Sequence, residues 1–212
     1  MGDNDRTSRP VLAVLLSGGG RTLANLIDQS ANGDLQARIG IVVSSVAGAG
    51  GIEIARNAGI PTVTLLRKEF DSDAAYSEAI FATIAPYDPA LVILAGFLRK
   101  VIVPPEWDGR ILNIHPALLP ECSYASGRGF YGDRVHAAVL AQGESVSGAT
   151  VHLVDNGYDT GPVYMRQRVP VEPDDDVRTL AARVFQAETE LYPRAIAAYL
   201  EEQRAATCSD GA

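Results

Sequence analysis

The stretch VLAVLLSGGGRTLANLI, residues 11–27, decides which fold class the sequence predicts. Its first six residues are a continuous apolar run, which is typical of a central parallel strand buried on both faces. A glycine turn follows, and then Leu23, Leu26 and Ile27 recur at helical spacing. Strand, glycine turn and helix in this order predict the first unit of an α/β fold, with free backbone N–H groups directed at an anion.

The glycine turn, SGGGRT at residues 17–22, matches neither of two familiar nucleotide-binding loops. The dinucleotide fingerprint requires G-x-G-x-x-G, and the Walker A loop requires Lys followed by Ser or Thr. Two interpretations therefore stay open for this turn. One is a phosphate-binding loop, and the other is a plain strand-to-helix turn that binds no ligand.

The alternation of strand and helix continues along the chain. Apolar strands and helical repeats are predicted in turn at residues 39–44, 51–58, 61–66, 73–84 and 90–95. Such alternation implies an open, mostly parallel sheet with helices on both faces, in which ligands bind beyond the carboxyl ends of the strands. Residues 148–154 and 162–169 are two later strands joined by a short turn, which makes them an antiparallel hairpin.

A second informative stretch is ILNIHPALLP, residues 111–120. Side chains two apart on a strand project the same way, so Asn113 and His115 should lie together at the carboxyl end of a strand. An amide donor beside a titratable imidazole suits the stabilisation of a developing oxyanion. The alternative is a polar strand end that only leads into a loop.

The last element is predicted to be a long helix whose apolar stripe includes Val177, Val184 and Leu191. Glu188 falls inside this stripe, where a carboxylate is costly unless it is paired. It is either half of a structural ion pair with an arginine or a contact to a ligand amine or hydroxyl. We expect Tyr192-Pro193 to bend or interrupt the helix.

The remaining histidines do not indicate a metal centre. His152 alternates with apolar residues, which favours a packed, hydrogen-bonded strand histidine, and His136 lines the site or caps a short helix predicted at residues 135–140. Neither the histidines nor Cys122 and Cys208 have the spacing of a zinc site. No G-x-S-x-G elbow is present, so serine hydrolase chemistry is not expected.

Composition limits the possible functions further. The 212 residues are 47% hydrophobic and 21% charged, with a formal net charge of −8, which argues against a nucleic-acid partner. No apolar run reaches membrane-spanning length, and the polar start lacks a signal peptide. We expect a cytoplasmic monomer or homodimer that acts on small molecules. The chain is predicted to have a flexible lead-in at residues 1–10, one domain at 11–202 and a disordered tail at 203–212.

Longer motifs carry a resemblance to a known family. They are VLLSGGGRTLANLID, LVILAGFLRKV, ILNIHPALLP, SGATVHLVDNGYDTGPV and RVFQAETELYP, which together run from residue 14 to about residue 193. In these segments the chain resembles the phosphoribosylglycinamide formyltransferase family. The resemblance implies a Rossmann-like formyltransferase fold. It also implies transfer of the formyl group of 10-formyltetrahydrofolate to the amine of N1-(5-phosphoribosyl)glycinamide in de novo purine biosynthesis, through a tetrahedral intermediate and without a metal.

The resemblance also implies roles for individual residues. The catalytic trio would be Asn113, His115 and Asp159. The substrate would be held by Gly20, Arg21, Thr22 and Glu188. The folate would be held by Leu98, Arg99, Lys100, Val101, Asn113, Asp155, Asn156, Gly157, Tyr158 and Asp159. In this mechanism Asn113 and a protonated His115 donate to the oxyanion, and Asp159 favours the charged imidazole and carries the amine proton, through a water, toward the leaving folate nitrogen.

The sequence departs from the family pattern at three places. The phosphate loop usually reads Gly-Ser-Asn or similar, whereas Arg21 here adds a cation that could contact phosphate directly. Asp73 stands where the family often has an arginine, so no ligand contact is carried over to it. Residues 120–133 form a longer loop with an inserted glycine and aromatic segment, to which spacing assigns no roles.

Other functions remain as alternatives. A sugar-nucleotide formyltransferase or a formyltetrahydrofolate hydrolase would share the same trio, although the hydrolase typically carries an N-terminal regulatory domain. Methionyl-tRNA formyltransferase is not expected, since it needs a further tRNA-binding domain and this chain is acidic. A non-catalytic protein that binds a phosphorylated metabolite is the alternative outside the enzymes, and an intact Asn/His/Asp set argues against it.

Overall fold

Seven strands and five α-helices make up residues 9–209, the part of the chain that a computed structural model describes. Their bounds are β1 Val11–Leu16, α1 Arg21–Asn32, β2 Arg38–Ser44, α2 Gly50–Asn57, β3 Thr62–Thr64, α3 Asp73–Ile84, β4 Leu91–Leu94, β5 Ile111–His115, α4 Asp133–Ala141, β6 Val146–Leu153, β7 Val163–Pro170 and α5 Val177–Ser209. The strands form one mixed sheet in the order β3-β2-β1-β4-β5-β6-β7. The predicted α/β class is therefore confirmed.

The chain divides into two compact units. The first unit comprises the residues up to Val101 together with those from Pro193 onward, and the second comprises Ile102–Tyr192. The prediction of one domain over residues 11–202 stays a prediction. Of the predicted lead-in, residues 1–8 lie outside the described part, whereas the Pro10 carbonyl accepts a hydrogen bond from the Arg38 N–H at 2.9 Å.

The first unit contains the parallel part of the sheet. Strand β1 pairs in parallel with β2 and β4, and β2 pairs in parallel with β3. Every residue from Leu12 to Leu16 is fully buried, which confirms that the apolar run at the start of the chain is a central strand. The helix predicted at residues 73–84 has those bounds, and the Ser72 hydroxyl caps it by accepting from the Ala75 N–H.

The second unit contains the antiparallel part of the sheet. Strand β6 pairs antiparallel with β5 on one side and with β7 on the other, so the predicted hairpin is confirmed. Gly148 allows the strands to approach closely, because a Cβ there would lie 2.1 Å from the Gln167 carbonyl oxygen. In the β5–β6 register, Asn113 lies opposite His152, and His115 lies opposite Thr150.

Helix α5 is longer than the sequence predicted. It contains Pro193 in its interior and continues to Ser209, so the helix is not interrupted at Tyr192-Pro193, and the alternative of a bend there stays a prediction. Burial of Tyr192 and Ile196 on either side of the proline provides packing free energy that offsets a local cost of about 3 kcal/mol. The predicted disordered tail is helical over residues 203–209, whose glutamine, arginine and alanines favour helix, and residues 210–212 lie outside the described part.

No helix in the described part of the chain is both long enough and apolar enough to span a bilayer.

Candidate active site

The end of strand β5 places two polar side chains side by side, as its alternation predicts. Asn113 is half-buried and His115 is 3% exposed. The His115 Nε2 lies 3.0 Å from the Ala125 carbonyl oxygen. Because a carbonyl can only accept, Nε2 carries a hydrogen, and Nδ1 is the ring position that is free to exchange a proton.

The turn after β6 is built to present Asp159. The Asp155 carboxylate accepts hydrogen bonds from the Gly157 N–H at 2.9 Å and from the Thr160 hydroxyl at 2.7 Å. A Cβ on Gly157 would lie only 1.9 Å from the Thr160 hydroxyl oxygen, so a larger residue there would displace the Thr160 side chain from Asp155. Asp159 itself has a φ of 55°, in the left-handed region that few residues other than glycine adopt.

The three residues predicted to be catalytic lie together in the second unit. The Asp159 Oδ2 is 3.7 Å from the His115 Nδ1. The Asn113 Nδ2 donates to the Asp159 Oδ1 at 3.3 Å. A carboxylate, an imidazole and a carboxamide from distant positions in the sequence therefore share one small polar cluster.

Two backbone groups of the loop after β5 complete this cluster, and the residue pattern predicted neither. The Ala125 carbonyl binds His115, and the Gly127 N–H donates to the Asp159 Oδ2 at 2.9 Å. The glycine-rich composition of residues 126–132 was a signal for positive backbone φ angles, which Gly127, Gly129 and Gly132 adopt. Which backbone group meets which side chain is decided by the tertiary structure alone.

His152 is a packed, hydrogen-bonded strand histidine, as the sequence favoured, and its partner is the predicted catalytic amide. It is 2% exposed, and its Nε2 lies 3.0 Å from the Asn113 Nδ2. The same nitrogen is 3.6 Å from the Asp159 Oδ1. The missed signal was register, because His152 sits directly opposite Asn113 in the β5–β6 pair.

The charge state expected for His115 needs correction. Burial lowers the pKa of His115, and the opposing effects of the Asp159 carboxylate and the Ala125 carbonyl do not fully offset it. Asp159 thus acts in the predicted direction, but the pKa of His115 stays below its ordinary 6.5, so the imidazole is mostly neutral at neutral pH. Burial alone would raise the pKa of Asp159, yet hydrogen bonding and the nearby histidines lower it, so this group is an anion.

The glycine turn lies at the start of α1 in the first unit. Gly20 has a φ of +82°, and a Cβ there would lie 2.4 Å from the Gly51 Cα, so only glycine fits. No side chain caps α1, which leaves its first N–H groups in the arrangement that binds anions. Arg21 is exposed and Thr22 is half-buried.

The predicted folate segment Leu98–Val101 also lies in the first unit. The Leu98 N–H donates to the Ser17 hydroxyl at 2.8 Å, and the Ser17 N–H donates to the Gly96 carbonyl at 3.1 Å. Ser17 therefore joins this segment to the glycine turn. A cavity of about 490 Å³ borders the segment, lined by Ser45, Val46, Ala47, Leu66, Arg67, Lys68 and Arg99.

Asp73, where the resemblance led us to expect an arginine, pairs with a neighbouring side chain. It lies in the first turn of α3, and its carboxylate accepts from the Arg67 Nε at 2.6 Å. Arg67 also lines the cavity beside Arg99. Asp73 therefore forms an ion pair with Arg67, and no cation is supplied from position 73.

The other predicted residues belong to the second unit. The Asn156 carboxamide oxygen accepts from the Val103 N–H at 2.8 Å, and Tyr158 is 37% exposed. Glu188 is half-buried on the α5 face that buries Val184 and Leu191, as the helical spacing predicted. Within residues 9–209, no group of three His, Cys, Asp or Glu side chains could hold a metal ion.

Comparison with known proteins shows the family to which this chain belongs. A family model described as formyl transferase matches residues 11–196. The trifunctional purine biosynthetic protein adenosine-3 of Drosophila pseudoobscura pseudoobscura is 41% identical over 194 residues, which are 89% of this chain but 14% of that protein. The chain thus spans about one seventh of the length of this relative.

Two relatives match over most of their own length. The phosphoribosylglycinamide formyltransferase of Escherichia coli (strain K12) is 37% identical over 188 residues, 87% of this chain and 84% of the relative. The crystal structure of glycinamide ribonucleotide transformylase 1 from Symbiobacterium toebii has a TM-score of 0.82 at 34% identity, covering 92% of this chain and 89% of that chain. The chain therefore belongs to the phosphoribosylglycinamide formyltransferase family.

Proposed function

We propose that this chain transfers the formyl group of 10-formyltetrahydrofolate to the amine of N1-(5-phosphoribosyl)glycinamide, a step of de novo purine biosynthesis. The observation that carries the proposal is the cluster in which the Asp159 carboxylate lies 3.7 Å from the His115 Nδ1 and within hydrogen-bonding distance of Asn113. Formyl transfer to an amine needs an oxyanion donor and a group that moves one proton, and this cluster has both.

Catalysis begins with attack of the substrate amine on the formyl carbon. The new C–N bond converts the formyl oxygen into an oxyanion and leaves the attacking nitrogen positively charged. Asn113 donates to this oxyanion with the N–H that faces the Asp159 Oδ1 at 3.3 Å, since that hydrogen bond is long and weak. One such donor contributes about 3 kcal/mol in comparable sites.

The His115–Asp159 pair moves the proton. A neutral His115 accepts the proton of the attacking nitrogen at Nδ1, and the resulting imidazolium is stabilised by the Asp159 carboxylate and lies in the same cluster as the oxyanion. The proton then passes to the folate nitrogen as the bond from that nitrogen to the formyl carbon breaks. The products are the formylated amine and tetrahydrofolate, so atoms and charge balance.

The binding roles follow the family resemblance. Gly20, Arg21 and Thr22 hold the substrate phosphate, for which the uncapped start of α1 is suited. Glu188 holds a substrate amine or hydroxyl. The folate contacts come from Leu98, Arg99, Lys100, Val101, Asn113, Asp155, Asn156, Gly157, Tyr158 and Asp159.

We place the activity in the cytoplasm, without a metal, in a monomer or homodimer. Cys122 is buried with a free thiol, which suits a reducing compartment.

The experiment is incubation of the full chain with 10-formyltetrahydrofolate while deformylated folate is followed. Three parallel reactions contain glycinamide ribonucleotide, an amino sugar nucleotide, or no amine. Release with glycinamide ribonucleotide alone supports the proposal. Release with the amino sugar nucleotide indicates a sugar-nucleotide formyltransferase, and release without any amine indicates a formyltetrahydrofolate hydrolase. No release in any reaction indicates a binding protein. Each of these three results overturns the proposed function.

A further inference from the structure

We infer that His152 is a positioning residue that fixes the orientation of the Asn113 carboxamide for the reaction. The inference rests on the proposed function, because the orientation matters for an oxyanion donor. Its starting point is the strand register: Asn113 and His152 face each other across β5 and β6, with 3.0 Å between Nδ2 and Nε2.

The hydrogen bonds of His152 define its tautomer. Its Nδ1 lies 2.7 Å from the Leu153 carbonyl oxygen, which can only accept, so Nδ1 carries the hydrogen. In the neutral ring Nε2 then has a lone pair and accepts from the Asn113 Nδ2. An amide flipped by 180° would instead direct its oxygen at that lone pair and at the Asp159 carboxylate, which is electrostatically unfavourable.

The two N–H groups of Asn113 therefore have different roles. One donates to His152 at 3.0 Å and holds the amide plane, and the other reaches Asp159 at the longer distance of 3.3 Å. With the first N–H kept on His152, the second is the one available to a developing oxyanion that approaches along its direction. His152 is 2% exposed, so water does not replace its acceptor readily.

Substitutions separate this role from simple packing. His152→Leu keeps an apolar volume but removes the acceptor, and we expect kcat to fall about 10- to 100-fold with little change in KM, since substrate is not contacted. His152→Gln retains an acceptor oxygen and should recover most of that loss. Equal loss in both variants would contradict the inference.

A double-mutant cycle gives the decisive result. If His152 acts through Asn113, His152→Leu should reduce the rate by less than about twofold in an Asn113→Ala background. The matched control is Val151→Ala, a fully buried neighbour whose side chain points to the other face of β6, and its effect should be unchanged in that background. Full multiplication of the Asn113 and His152 effects would overturn the inference.

An NMR measurement tests the contact between His152 and Asn113 independently of enzymatic activity. The ¹⁵N resonance of the His152 Nε2 should report an acceptor in the wild-type protein and should shift in Asn113→Ala, whereas an unchanged resonance contradicts the pairing. If His152→Leu fails to show a cooperative thermal transition, the activity of His152→Gln and the His152 Nε2 resonance test the inference in its place. If the wild type shows no amine-dependent transfer, the proposed function fails while the resonance still tests the contact.

Discussion

Asp159 has a backbone φ of 55°, a conformation that costs an aspartate about 1 kcal/mol and persists only where the surroundings impose it. Here the Asp155 turn and the Gly127 N–H impose it. In return, one carboxylate contacts a backbone amide, a carboxamide and two imidazoles. The chemistry of this residue therefore comes from its neighbours, which the residue type alone does not reveal.

The buried histidines have a consequence for stability in acid. Burial lowers the pKa of both His115 and His136, and the Nδ1 of His136 has no hydrogen-bond partner among the described residues. The charged groups that act on His136 are Asp133, which opposes the shift, and His115, which adds to it. In the unfolded chain these histidines titrate near a pKa of about 6.5.

We predict that the free energy of unfolding decreases as the pH falls below about 6.5. The unfolded chain binds protons in that window and the folded chain does not, so acid favours unfolding; above it the histidines are neutral in both states. Asp159, with its pKa lowered, adds a further loss below its ordinary range near pH 3.8. Urea titrations from pH 8 to pH 5 measure this slope.

His136→Leu is the matched variant for this prediction. It removes one buried titratable ring from α4 outside the catalytic cluster, so its stability should depend less steeply on pH than that of the wild type. Identical slopes for the two proteins would show that His136 does not titrate on unfolding.

At the scale of elements, the start of α1 shows why a strand, a turn and a helix can specify a binding loop. Gly20 combines a positive φ with close approach to Gly51, whereas an added Cβ at Gly18 or Gly19 would meet nothing within 4 Å. The three consecutive glycines are therefore not equivalent. Gly20 is required by the fold, and the other two leave open space beside the backbone.

We predict that Gly20→Ala lowers the free energy of unfolding by about 2 kcal/mol or more, through backbone strain and the clash with Gly51. Gly19→Ala is the control, because its φ lies outside the left-handed region and its Cβ would be unobstructed. It should change stability by less than about 0.5 kcal/mol. Urea denaturation at fixed pH compares both variants, and equal destabilisation would refute the distinction.

The loop after β5, in contrast to the start of α1, contributes to the site through groups that its sequence does not predict. Spacing assigned no roles to the residues of this loop, and its contributions to the site are two backbone groups, the Ala125 carbonyl and the Gly127 N–H. No side-chain pattern could identify them. The His152–Asn113 contact was accessible in principle, because the strand pairing predicts which residues face each other once the register is known.

Over the whole molecule, periodicity predicted the elements whose signal is local. The buried strand β1, the bounds of α3 and the β6–β7 hairpin follow directly from an apolar run, helical periodicity and a short turn. The course of α5 through Pro193 did not follow, because burial on both sides of the proline outweighs the local preference. The same limit applies to His115, whose charge state depends on burial that no spacing reveals.

The proposed formyl transfer depends on the His115–Asp159 pair, and the rate of a single turnover measures that dependence. Wild-type protein, His115→Ala and Asp159→Asn are each mixed in excess over 10-formyltetrahydrofolate with saturating glycinamide ribonucleotide, after thermal unfolding has shown that the variants fold. We predict that each variant transfers formyl about 10²- to 10⁴-fold more slowly than the wild type. Transfer by both variants within about twofold of the wild-type rate would contradict the central claim.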